Sequence, residues 1–258
     1  EDGLMALHYA SHKATNEFVV LVLKYQKKSY DAQCLRGYTA LMYSAEVGSD
    51  GSVRALLDAK ANVTILNRLD GSMDALMYAC VSEDEHDHDD LIRQFRIMEN
   101  DPHAQVVVQE TTDEEETKFA KCVRLLLDAG AEYKRKNGYG KNVIMLAAEY
   151  GTDLCLKQIL DYHSSKDDPD DKLVDAVSTR GGKTTALCLA SEYDNTKCVR
   201  LLLQHGASPH LKNYSNQMIP LMYACKRGNA ENVASILAHM AHNEVLEWVD
   251  DDQMTALK

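Results

Sequence analysis

Several side-chain groupings in this chain are of the types that carry chemistry. His86 and His88 stand among thirteen carboxylates between residues 83 and 117, the donor types of a divalent-cation site. The run lacks the glycine and the alternating ligands of a calcium loop, and two histidines one residue apart arise easily in so polar a stretch. A solvated charge run is the better reading. Gly181, Gly182, Lys183 and Thr184 imitate the end of a phosphate-binding loop, but Val177 stands where the earlier glycine is required, so nucleotide binding is rejected. The seven cysteines include no C-x-x-C pair. Their count is odd, and Cys122, Cys155 and Cys198 share one position while Cys80 and Cys225 share another. That placement reads as small packing side chains and reduced thiols, not as a disulfide framework or a zinc site. No nucleophile, base and orienting acid recur together. The expectation is therefore no catalytic residue, no cofactor and no metal.

The elements behind these residues show why. Thr185 to Ala207 is a unit that the chain repeats: Thr185 is a good helix N-cap, Leu187, Ala190 and Ser191 give a first helix a narrow face of small residues, and Val199, Leu202 and Leu203 give a second helix a broad apolar face. The position of Leu187 recurs at Leu7, Leu41, Leu76, Ile144, Leu221 and Leu257, at steps of 34, 35, 68, 43, 34 and 36 residues. Twelve residues after each complete mark stands an aliphatic residue, Val19, Val53, Leu156, Val199 or Val233, and Val123 fits once the long insertion is removed. Helices this short cannot bury such faces alone and need neighbouring copies. The unit resembles the ankyrin repeat, whose pattern runs T-P-L-H-x-A, helix, turn, V-x-L-L-L and G-A and recurs about every 33 residues. His8 matches the histidine of that pattern. Where the family prefers proline after the cap, this chain has Ala6, Ala40, Ala75, Ala186 and Ala256, a T-A-L-M variant similar to that of protist ankyrin proteins; Pro220 keeps the proline.

The resemblance implies an all-α solenoid of paired antiparallel helices with hairpin loops. About six repeats are expected, near 2–35, 36–70, 71–138, 139–181, 182–215 and 216–251, with the start of a seventh at 252–258 after Trp248. A chain opening and closing within repeat signals is expected to be part of a longer one. The wide steps hold an acidic insertion at 83–117, inside repeat three, and a lengthened polar loop at 164–175. The insertion has thirteen acidic and two basic residues, a net −11 of the chain's −12, so the rest is nearly neutral with 26 basic and 27 acidic residues. Leu91, Ile92, Phe95 and Met98 fall at helical spacing within it, and Thr112 with Glu115 reads as a capping box.

These features narrow the function. No basic face emerges for nucleic acid, and no run is long enough to span a membrane. A monomeric cytoplasmic protein-interaction scaffold or adaptor is expected, with a protein partner that is basic if the insertion takes part. The alternative is a substrate-recruiting or targeting region of a larger enzyme such as a kinase. The resemblance places binding on the concave face of the first helices and on the hairpin tips. By register the helix residues are His12 and Lys13, Glu46 and Val47, Val81 and Ser82, Glu149 and Tyr150, Glu192 and Tyr193, and Lys226 and Arg227; the hairpins add Tyr38, Tyr139 and Tyr214.

Overall fold

The computed structural model describes residues 5–13, 16–25, 30–81, 117–166 and 172–240. Among them are twelve α-helices: α1 (Ala6–His12), α2 (Asn16–Tyr25), α3 (Ala40–Glu46), α4 (Asp50–Asp58), α5 (Ala75–Ala79), α6 (Lys118–Asp128), α7 (Val143–Tyr150), α8 (Asp153–Ser164), α9 (Ala186–Glu192), α10 (Thr196–Gln204), α11 (Pro220–Arg227) and α12 (Ala230–Leu237). One 3-10 turn, Leu173–Asp175, sits before α9, and the described residues hold no strand beyond an isolated bridge between Asn67 and Met73.

Odd-numbered helices pack on one another in one layer and even-numbered helices in a second, while each odd helix also packs on the even helix that follows it. This is the solenoid implied by the repeat register. Leu7, Leu41, Leu76, Ile144, Leu187 and Leu221 are all buried, as are Val19, Val53, Val123, Leu156 and Val199; Val233, in the last described repeat, is half-buried. Because each apolar face is covered by the repeats on either side, no repeat owns a complete core.

Local chemistry starts each first helix. The side chains of Thr39, Asp74, Asn142 and Thr185 accept hydrogen bonds from the backbone N–H of Met42, Met77, Met145 and Cys188. Ile219 offers no such acceptor, and there Pro220 supplies a pre-set φ at the first helical position. Thr117 caps α6 through Ala120 N–H, so it belongs to that helix. Thr112 and Glu115, expected to form a capping box, lie outside the described residues, as do Leu91, Ile92, Phe95, Met98, His86, His88, Trp248 and the seventh unit.

His8, which matches the histidine of the repeat pattern, bridges two turns. Its Nδ1 accepts from Met5 N–H at 3.0 Å, which leaves the proton on Nε2, 2.9 Å from the Ala32 carbonyl. Burial lowers its pKa below the usual value. The Gly181–Thr184 run is a hairpin: Ser178 N–H donates to the Thr184 carbonyl, and the Gly182 carbonyl accepts from Tyr214 N–H of the next hairpin. All seven cysteines are free thiols, six of them buried. Cys155 Sγ donates to the Ala79 carbonyl and Cys198 Sγ to the Ala147 carbonyl, each at 3.7 Å, from a second helix to the first helix of the repeat before.

Candidate functional site

Hairpins two to four, which precede the helices α3, α5 and α7, line with those helices a half-open cavity of about 570 Å³. Six of the expected binding residues line it: Glu46, Val81, Glu149 and Tyr150, taken from register, and the hairpin residues Tyr38 and Tyr139. Arg36, Leu69, Asp70, Met73, Tyr78, Asn137, Lys141 and Leu146 complete the wall.

The site is built on a tyrosine ladder. Tyr38, two residues into its hairpin, lies between Tyr43 and Tyr78, with ring centroids 4.6 and 4.8 Å away. Tyr43 and Tyr78 are the tyrosines of the two Ala-Leu-Met-Tyr helix starts, and both turn their hydroxyls toward the hairpin that precedes them. Tyr43 pairs with Cys34 Sγ, Tyr78 accepts from Asn67 Nδ2 at 3.0 Å, and in repeat six Tyr223 accepts from Asn213 Nδ2 at 2.9 Å. These hydroxyls tie α3, α5 and α11 each to its own hairpin, and the first two brace the cavity's wall.

Two carboxylates bracket the Tyr38 hydroxyl, with Glu46 Oε1 and Asp70 Oδ2 each 3.3 Å from it. Tyr78 donates its proton to the same Asp70 oxygen at 2.6 Å. Burial, reinforced for Tyr38 by Glu46 and for Tyr78 by Asp70, pushes both phenol pKa values up, so both rings stay neutral donors. On the opposite wall Lys141 Nζ lies 2.6 Å from both oxygens of Glu149, a partly buried pair that holds that carboxylate in place. Tyr139 is 57% exposed and its ring packs so closely over Gly71 that a side chain there would collide with it.

The other described residues of that set do not line this cavity. His12 meets Tyr43 edge-on at 5.6 Å, and Lys13 follows as the exposed end of α1. The Val47 carbonyl accepts from Lys118 Nζ at 3.1 Å. At the far end the Glu192 carbonyl accepts from Arg227 Nε, and burial raises the Glu192 carboxyl pKa. Lys226 and Tyr193 are exposed, and the exposed Tyr214 ring lies 5.8 Å from Lys183 Nζ. Val81 is buried, so it offers the cavity wall and not an open surface. Ser82 lies outside the described residues.

Sequence reasoning passed over Asp70, Tyr78 and Lys141. A signal for Tyr78 was present in the recurrence of Leu-Met-Tyr at residues 41–43, 76–78 and 221–223, two of which follow a hairpin asparagine by ten or eleven residues. Among the described residues no cluster of three or more His, Cys, Asp or Glu is arranged to hold a metal ion, and no helix is long and apolar enough to cross a membrane.

Comparison with known proteins agrees with this architecture. The family model for ankyrin repeats matches three times, at residues 1–67, 115–213 and 145–247. The chain is 25% identical over 253 residues, 92% of its length, to the E3 ubiquitin-protein ligase KEG of Arabidopsis thaliana, of which it covers 15%. It is 32% identical over 122 residues, 46% of its length, to the ankyrin repeat, SAM and basic leucine zipper domain-containing protein 1 of Dasypus novemcinctus, covering 24% of that protein. It thus spans under a quarter of either relative. Among solved structures, the human ASB11 ankyrin repeat domain superposes with a TM-score of 0.68 at 19% identity, covering 98% of this chain and 90% of that one. The ankyrin repeat domain of Bcl-3 gives 0.66 at 22% identity, covering 100% and 94%. With repeat register, two-layer packing and family match in accord, the chain belongs to the ankyrin-repeat family.

Proposed function

We propose that this chain is a scaffold or adaptor module that holds a protein partner along the first-helix face and the hairpin tips. One observation carries the reading: six of the residues expected to bind, four taken from repeat register and two hairpin tyrosines, line a single cavity of about 570 Å³, within the range of about 300–1,000 Å³ typical of ligand sites. Its wall combines the anchoring side chains that dominate protein interfaces, tyrosines above all, with polar groups held in fixed positions. One relative named above combines ankyrin repeats with SAM and basic leucine zipper domains, which accords with a module joined to others in a longer protein.

The test is site-resolved cross-linking. A photoactivatable residue placed at Tyr150 or Tyr193, on the first-helix face, should trap a partner from cell extract, whereas the same residue at Lys157 of α8 should not. Equal trapping at all three positions, or trapping only at Lys157, would refute the assignment of the face.

A second reading, that these repeats recruit a substrate for a larger enzyme such as a kinase, is favoured by one finding: a relative aligned over 92% of this chain is a ubiquitin ligase of which the aligned part is 15%. The full-length reading frame tests it, because a catalytic domain joined to the repeats is required.

A further inference from the structure

Building on the first-helix face as the binding surface, we propose that the cavity beneath hairpins two to four receives an arginine side chain from an extended segment of the partner. Charge selects a cation. Lys141 is engaged by Glu149 at 2.6 Å from both oxygens. Among the described lining residues three carboxylates, Glu46, Asp70 and Glu149, stand against two cations, Arg36 and Lys141, and an entering phosphate or carboxylate would meet Glu46 and Asp70.

Geometry narrows the cation to a guanidinium. The Tyr38 hydroxyl stands 3.3 Å from Glu46 Oε1 and 3.3 Å from Asp70 Oδ2, yet it has one proton and can donate to one of them at a time. The Tyr78 proton is already directed to Asp70 at 2.6 Å. Two acceptors set around one hydroxyl suit a planar fork of N–H donors, since each carboxylate has about four lone-pair sites and can take a further donor beside its present ones. A compact ammonium reaches both less well. Of the lining tyrosines, the exposed Tyr139 offers its ring to a guanidinium, and buried Met73 and Leu146 give its methylene stem an apolar wall. A bare metal ion is a poor occupant, because no described cluster of acidic, histidine or cysteine residues has ligand geometry. About 570 Å³ exceeds one side chain, so residues flanking the arginine enter as well.

The experiment is a nuclear magnetic resonance titration of the full chain, isotope-labelled, with three blocked tripeptides: Gly-Arg-Gly, Gly-Lys-Gly and Gly-citrulline-Gly. The arginine peptide should shift backbone amides of Glu46, Gly71 and Gly140 saturably. Citrulline, similar in shape but neutral, should bind about tenfold more weakly or worse, with lysine in between. Asp70→Asn should weaken the arginine peptide about fivefold or more; should that variant lose its fold by circular dichroism, Glu46→Gln carries the same expectation. Equal binding of citrulline, tighter binding of lysine, shifts confined to other residues, or unchanged binding by a folded variant would each overturn the proposal. Cross-linking of a partner at Tyr150 that saturating arginine peptide, added before irradiation, fails to suppress would also overturn it while leaving the first-helix face standing as the binding surface; absence of cross-linking there would count against the face itself.

Discussion

Replacing Asp74 with asparagine should stabilise this protein at neutral pH. Asp74 caps α5, where the equivalent residues Thr39, Asn142 and Thr185 are neutral, and its side chain is 1% exposed. Burial is the largest influence on its carboxyl and raises the pKa from 3.8 to about 6, against the lowering effects of the Met77 N–H and of Arg135, whose Nη1 is 3.8 Å away. That gap corresponds to ~3 kcal/mol of unfavourable ionisation at pH 7, with the attraction of Arg135 already included. Asparagine is as good a cap as aspartate and keeps the bond to Met77, so Asp74→Asn should gain ~1–3 kcal/mol. The sign of the pH dependence follows from the raised pKa. Between about 6 and 3.8 the folded chain holds this proton more tightly than the unfolded chain, so as pH falls the wild type recovers the stability that ionisation removes. The advantage of the variant should therefore be full at about pH 7 and near zero by about pH 3. Urea unfolding followed by far-ultraviolet circular dichroism across that range measures both quantities. A variant less stable than wild type at pH 7, or a difference that does not change with pH, would show that the charge contributes more as a helix cap and Arg135 partner than burial costs it.

The remaining predictions concern other layers of the structure. His8 titrates in the opposite sense: its lowered pKa means that protonation opposes folding, so amide exchange in α1 should accelerate as pH falls below 6.5, measured against α9 as an internal reference. Gly37 has φ +80, and a Cβ there would lie 2.2 Å from Asn67 Oδ1; Gly37→Ala should cost ~2 kcal/mol or more in chemical unfolding. Leu202→Asp buries an unpaired carboxylate in α10 and should cost on the order of 4 kcal/mol, loosening α8 and α12 as well as its own repeat in hydrogen exchange. Removing residues 83–116, which joins Ser82 to Thr117 and keeps the α6 cap, should leave a folded helical protein with eleven fewer net negative charges, read by circular dichroism and ion-exchange elution.

The parts of this fold that were legible are those decided within one repeat. Capping needs a side-chain acceptor three residues before its donor, so Thr39, Asn142 and Thr185 could be recognised from spacing alone. The buried marks from Leu7 to Leu221 follow from periodicity for the same reason. Part of the cavity depends on pairings between repeats, which leave no trace in spacing. Asp70 belongs to the hairpin 32 residues beyond Tyr38, and nothing in either residue's neighbours announces their 3.3 Å approach. Glu149 reads as an open contact residue, yet Lys141, eight residues earlier, holds both of its oxygens. Val81 occupies a surface position in the register but is buried on the cavity wall.

The thiols that cross between repeats have a further use. Burial pushes the pKa of Cys122 and Cys155 up to about 12, and Cys155 and Cys198 each reach a backbone carbonyl of the preceding repeat. A thiol so placed is almost entirely protonated at neutral pH and closed to reagents while its interface is shut. Alkylation of each therefore reports how often one seam of the array gapes, which makes the native cysteines a set of strain gauges along the solenoid: a ligand that clamps hairpins two to four should slow labelling at Cys155, whose seam it spans, more than at Cys198.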